Sequence, residues 1–198
     1  MQAKSYHHGN LRAALINAGL AALEQQDTAE LSLRAIARDV GVSANAAYRH
    51  FADKDALLSA LAAEGFRRFA QHQGQAMLGH ADQKEARLAS GQAYVRFARD
   101  NPALFRLMFG RMVSQHIHAA TETTNAQEEL QQMGLFAFQG LLHAAAQESG
   151  APPESERALL LAIARWSLVH GLSHLMLDGQ LAVFGGDIDK IVEGVLIA

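Results

Sequence analysis

Five of the eight residues 43–50 carry hydrogen-bonding side chains: Ser43, Asn45, Tyr48, Arg49 and His50. Ala44, Ala46 and Ala47 are the small residues between them. If the segment is a short helix, the polar groups stand on its outside. Such a surface can enter a DNA major groove, which is about 12 Å wide. Asn45 could then reach a base edge, where an adenine suits its amide, with Ala44, Tyr48, Arg49 and His50 beside it. The same residues also suit a generic helical bundle with a polar exterior. His50 could cap locally or pack against Phe51. Periodicity alone leaves both readings open.

A second constellation lies in the C-terminal half. Phe105, Phe109, Met112, Met133, Phe136, Trp166 and His170 could line an apolar cavity with one or two polar anchors. Each taken singly suits ordinary core packing as well. His170 and His174 are four residues apart and share a helical face, and His143, His116 or His118 could join them in space. No His-Glu-x-x-His pattern or carboxylate at fixed spacing accompanies them, so neither a metal nor a cofactor is expected. The chain contains no cysteine, which excludes disulfides, thiolate metal sites and cysteine nucleophiles. No Gly-x-Ser-x-Gly elbow, Gly-x-Gly-x-x-Gly turn or Walker-type loop is present, so the chain does not read as an enzyme.

The elements that must position these residues are helical throughout. Of 198 residues, 49% are hydrophobic and only three are proline, enough for a real core built from long helices. A helix is expected from about Asn10 to Gln26. Ser32 is an expected N-cap for a short helix over residues 33–39, ended by a tight turn at Gly41, where positive φ is needed. Ser43 is expected to cap a second short helix to His50, and Asp53 a longer one over residues 54–71. Residues 74–82 read as a loose connection. Helices are then expected over residues 84–99, from Pro102, over 121–148, from 154 to 177 after the Gly150-Ala151-Pro152-Pro153 break, and over 187–197. The penultimate helix is apolar around nearly its whole circumference. That suggests one face for the core and one for a partner subunit.

The net charge of −3 excludes a strongly basic nucleic-acid coat. Residues 1–68 carry eight cationic and seven anionic side chains, an asymmetry too weak to identify a DNA binder. The apolar runs are interrupted by charge or histidine, so no membrane span is expected. The N-terminus does not read as a signal peptide. A cytoplasmic location follows as the expectation.

Three segments carry more than periodicity. Tyr6-His7-His8-Gly9-Asn10-Leu11, the run Leu33-Arg34-Ala35-Ile36-Ala37-Arg38-Asp39-Val40-Gly41-Val42-Ser43, and the run Ala47-Tyr48-Arg49-His50-Phe51-Ala52-Asp53-Lys54-Asp55-Ala56-Leu57-Leu58 closely resemble the N-terminal domain of the TetR family of bacterial transcriptional regulators. Trp166-Ser167-Leu168-Val169-His170-Gly171-Leu172 and Pro102-Ala103-Leu104-Phe105 resemble the tryptophan–histidine–glycine class of its C-terminal domains. The resemblance implies an all-α protein of about nine helices. A three-helix DNA-binding domain would span residues 5–68, with its helix-turn-helix at about 32–51. A ligand-binding and dimerisation domain would span 75–198. It further implies a homodimer on palindromic double-stranded operator DNA, an unidentified small-molecule effector, and repression as the default sign. A transcriptional activator or a helical dimeric adaptor that keeps the fold is the alternative. On the same ground Tyr48, His50 and Lys54 would grip phosphate, Arg34 could do likewise, and Lys4, His7 and His8 could form an arm beside the DNA. Asp55 stands where glutamate is more usual, which keeps the charge.

Overall fold

The computed structural model describes residues 11–111, 113, 124–185 and 187–197. Among these the chain is all-α: nine α-helices and one 3-10 turn. They are α1 (Leu11–Leu23), α2 (Leu33–Val40), α3 (Ala44–Tyr48), α4 (Lys54–Met77), α5 (Gln83–Asp100), α6 (Pro102–Met108), α7 (Asn125–Ser149), α8 (Glu156–Leu177) and α9 (Ile188–Ile197), with the 3-10 turn at Gln180–Phe184. Met112, Lys4, His7, His8, His116 and His118 lie outside the described residues.

Local chemistry explains most of the boundaries. Ser43 Oγ accepts the Ala46 N–H at 3.2 Å and starts α3. Asp53 Oδ1 accepts the Ala56 N–H at 2.7 Å and starts α4. Thr124 and Gln127 form a reciprocal capping box at the start of α7. Ser155 caps α8 through the Ala158 N–H. Ser32 departs from expectation: it sits extended before α2 but its side chain makes no capping bond. The turn after α2 follows the expected logic. Gly41 adopts φ 82°, and the Gly41 and Val42 N–H groups close onto the carbonyls of Arg38 and Ala37 at 3.0 and 2.9 Å. A side chain at 41 would be strained there.

Three expectations on length are corrected, the first being α1, which ends at Leu23 rather than near Gln26. α4 does not end near residue 71 but continues to Met77, so Gly74 is helical and the connection narrows to residues 78–82. The extension is held by α5, which packs along it, Gln73 donating to Ser90 Oγ at 3.1 Å. At 24 residues α4 is about 36 Å long. α3 ends at Tyr48, with Arg49 as its C-cap, rather than reaching His50.

One continuous apolar cluster runs from Leu15 in α1 to Leu130 in α7. Leu57, Leu61 and Phe66 of α4 lie inside it, with α5, α6 and α7 packed around that helix. Phe51 and Phe105 are fully buried; burial of a side chain of that size contributes about 1.5–3 kcal/mol. A smaller cluster of Val95, Leu172, Leu181 and Val192 joins α5, α8 and the 3-10 turn to α9. Half-exposed ion pairs tie distant elements: Arg12 to Glu129 at 2.5 Å, Arg99 to Asp189 at 2.8 Å and Arg106 to Asp178 at 2.6 Å. Each contributes at most about 1 kcal/mol.

By length and composition α8 is long and apolar enough to cross a bilayer, although it carries Arg165, His170 and His174. In this fold it packs against α5 and α7, and its Arg165 bonds Glu148 of α7. Much of its apolar surface is nevertheless left outside: Leu159, Leu160, Ile163, Leu168 and Leu175 are exposed, as are Leu135, Phe136 and Phe138 of α7.

Candidate nucleic-acid interface and aromatic cluster

α2 and α3 cross closely because the residues at their contact are small. Ala37 and Ala47 are buried, and Val42 packs from the turn onto the same core. Phe51, just beyond α3, is buried under the guanidinium of Arg12, which lies 5.6 Å from its ring centroid. Fixing α3 in this way turns its polar residues outward. Ser43, Asn45, Tyr48, Arg49 and His50 are exposed and Ala44 is half-buried. Tyr48 is 40% exposed, unusual for a large aromatic ring. His50 is exposed rather than buried in the core.

Arg34 is exposed on α2, and Arg38 beside it lies 4.0 Å from Asp39. Lys54 is half-buried at the first position of α4, and its Nζ donates to the Ala29 carbonyl at 2.6 Å. The lysine therefore has a partner within the chain, in the loop joining α1 to α2. The arrangement is a surface of donors on α3, flanked by an anchored ammonium at one helix start.

The second constellation is brought together only in part. Phe105 and Phe109 have ring centroids 4.8 Å apart, His170 lies 4.9 Å from Phe109, and Trp166 lies 5.7 Å from His170. Met133 is half-buried against the main core. Phe136 departs from the expected set: it is 62% exposed on the outer side of α7.

Two residues outside the expected ligand-lining set belong to the cluster. His174 has its ring 4.7 Å from that of His170. Tyr94 of α5 is buried, and its hydroxyl lies 2.9 Å from His170 Nδ1 while accepting the Trp166 indole N–H at 3.2 Å. Burial raises the Tyr94 hydroxyl pKa, only partly opposed by the Trp166 bond. Burial, and then the neighbouring His174, lower that of His170. The signal for Tyr94 was its hydroxyl: on a helix stripe otherwise made of apolar residues it requires a buried partner.

Two clefts lie outside this cluster. One of about 300 Å³ sits where α1, α4 and α6 meet, lined by Leu20, Glu24, Arg68, Asn101 and their neighbours. Another of about 170 Å³ lies between α5 and α9. No group of three metal-ligating side chains occurs among the described residues. His143 is exposed, its Nδ1 paired with the Gln139 carbonyl.

A two-helix reading unit on a larger helical body defines a helix-turn-helix protein of the regulatory kind. Residues 15–61 match the description of bacterial regulatory proteins of the tetR family, and residues 88–197 match the tetracyclin repressor-like C-terminal domain. The chain belongs to the TetR family. A protein of unknown function from Rhodococcus sp. RHA1 is 29% identical, with a TM-score of 0.77, covering 98% of this chain and 96% of its own. The TetR-family regulator PfmR from Thermus thermophilus shares the fold at 17% identity and a TM-score of 0.61, over 92% of this chain and 94% of its own. The fatty acid degradation regulator FadR from Bacillus halodurans does so at 17% and 0.64, over 97% and 95%. No curated protein matches the chain.

Proposed function

We propose that the chain is a sequence-specific transcriptional regulator that binds a palindromic operator as a homodimer and releases it when a small molecule binds. The observation that carries this reading is the outward polar face of α3, positioned by the Gly41 turn and by the burial of Ala37 and Ala47 where α2 and α3 pack. Asn45 reads a base edge, while Tyr48, Arg49, His50, Arg34 and Lys54 position the backbone. Residues 5–68 act as the reading domain and 75–198 as the effector and dimerisation domain. The latter is of the tryptophan–histidine–glycine class, with Phe105, Phe109, Trp166 and His170 as the part of the expected ligand set that comes together.

The exposed apolar faces of α7 and α8 meet a second copy. A dimer must present its two α3 helices to successive major grooves, about 34–36 Å apart. The route from effector to DNA runs through α6. Phe105 joins α6 to the aromatic cluster, while Leu104 and Met108 close on α4 at Gly65. α4 begins at Lys54, beside the reading unit. A ligand that displaces Phe105 or Phe109 shifts α6, tilts α4 and changes the spacing of the two reading helices.

The test is selection of DNA from a random pool, followed by anisotropy against the enriched sequence with a salt titration. An enriched palindrome, bound far more tightly than scrambled DNA and less tightly as salt rises, supports the reading. No enrichment from folded, dimeric protein would favour a dimeric adaptor that keeps the fold.

A further inference from the structure

Tyr94 Oη sits between two ring nitrogens, Trp166 Nε1 at 3.2 Å and His170 Nδ1 at 2.9 Å. An indole nitrogen can only donate, so the phenol oxygen accepts from Trp166. The phenol has one hydrogen of its own. If His170 Nδ1 were also a donor, that hydrogen would be left without an acceptor in a residue only 5% exposed. Satisfying all three groups requires Tyr94 to donate to Nδ1. The proton of neutral His170 then resides on Nε2.

Among the described residues, none bonds His170 Nε2. The imidazole is surrounded by the rings of Phe105, Phe109, Trp166 and His174, with centroids 4.7–5.7 Å away. The ring is half-buried, and among the described residues Nε2–H has no hydrogen-bond partner.

We propose that Tyr94 is a positioning residue that locks His170 as an Nε2–H donor, and that the effector is a planar, largely apolar molecule whose carbonyl-type oxygen accepts that hydrogen. This rests on the reading of the aromatic cluster as the effector site. Rings on several sides select a flat apolar body, and a fixed N–H donor selects an acceptor oxygen over a cationic group. A cation has nothing to offer a donor N–H.

Trp166 is the chain's one tryptophan, so its indole N–H gives a single, assignable NMR signal inside the site. The probes are acetophenone and ethylbenzene, alike in shape and different in the oxygen. They are titrated against the full chain, with the ¹⁵N signals of His170 recorded above the histidine titration range. Wild type should show an unprotonated Nδ1 and bind acetophenone roughly three- to tenfold more tightly than ethylbenzene, the span one net hydrogen bond provides. The preference should vanish in His170→Phe and shrink in Tyr94→Phe, with His170 in the latter showing mixed tautomers. Tyr94→Phe removes a single oxygen and keeps the proposal testable should His170→Phe not fold. A protonated Nδ1 in wild type, or equal affinity for the two probes, overturns the donor assignment while the effector site stands. An unchanged tautomer in Tyr94→Phe overturns its positioning role. If neither probe moves the indole signal, the effector-site reading itself fails.

Discussion

Gly65→Ala tests whether α6 rests on α4 as tightly as the proposed coupling requires. A Cβ at position 65 would lie 2.7 Å from Met108 Sδ, 2.8 Å from Met108 Cγ and 2.9 Å from Leu104 Cδ1. Ordinary carbon contacts begin near 3.5 Å, so α6 or its side chains must yield by roughly 0.6–0.8 Å. Met108 and Leu104 are buried and cannot simply swing into solvent. Overpacking of this kind costs about 1–3 kcal/mol, while alanine in a helix interior returns about 1 kcal/mol relative to glycine. The net expectation is a loss of up to about 2 kcal/mol. With a urea m-value near 2 kcal/mol/M, a loss of about 1 kcal/mol lowers the midpoint by about 0.5 M. The assay is urea unfolding at one fixed protein concentration, since dimerisation would shift the midpoint. Met108→Ala alone should cost about 2–5 kcal/mol. The double variant should be less damaged than the two changes added together, because the new methyl occupies part of the space the sulfur leaves. A raised midpoint for Gly65→Ala would refute the reasoning. So would additivity within about 0.5 kcal/mol, the behaviour of sites that do not touch.

Arg12→Ala should lower stability by about 0.5–2 kcal/mol, because the side chain serves both the half-exposed Glu129 pair and the Phe51 ring. Adding Glu129→Ala in a double-mutant cycle should recover a coupling of at most about 1 kcal/mol, read by thermal unfolding. For pH, burial holds the folded-state pKa of His170 below its ordinary 6.5. Between those two values the unfolded chain binds more protons, so this contribution to stability is complete above pH 6.5 and is lost as pH falls towards the folded-state value. His170→Phe should flatten that part of a stability–pH profile. Ile163→Glu with Leu160→Glu, on the exposed side of α8, should convert a dimer to monomer in sedimentation without loss of helical signal.

What was legible in the sequence was whatever a single helix face or cap determines. Ser43 and Asp53 cap as expected because a capping oxygen acts on backbone only a few residues ahead. Gly41 was readable because positive φ at a helix end has few alternatives to glycine. The outward polar set around α3 was readable because its hydrogen-bonding residues are set off from the small Ala47, which is the buried one. The extent of α4 was not, because the pull of α5 along residues 71–77 is tertiary. The exposure of Phe136 was not legible for a similar reason: period alone cannot say which way a long helix with apolar residues on several sides is rotated. Tyr94 went unread as a polar residue because its partners are 72 and 76 positions away in sequence.

For Lys54 the intramolecular bond is compatible with the proposed role on DNA. Its ammonium has three N–H donors, and the Ala29 carbonyl takes one at 2.6 Å. Two remain. The bond does not compete with a phosphate; it removes the rotamer freedom that a free lysine would lose on binding, a loss of about 0.5–1.5 kcal/mol for a side chain of this kind. It also fixes the ammonium at the first turn of α4, where the N-terminal amides already favour an anion. In the proposed DNA complex the α1–α2 loop would thereby support the lysine's grip on phosphate. Lys54→Gln, which keeps a donor on a chain one atom shorter but not the charge, should weaken operator binding and lower the slope of log affinity against log salt by about one. Lys54→Arg should keep that slope yet still bind more weakly, because the broader guanidinium does not reproduce the point contact to Ala29. Full operator affinity in Lys54→Arg would mean that charge alone suffices and that the anchoring bond contributes nothing to recognition.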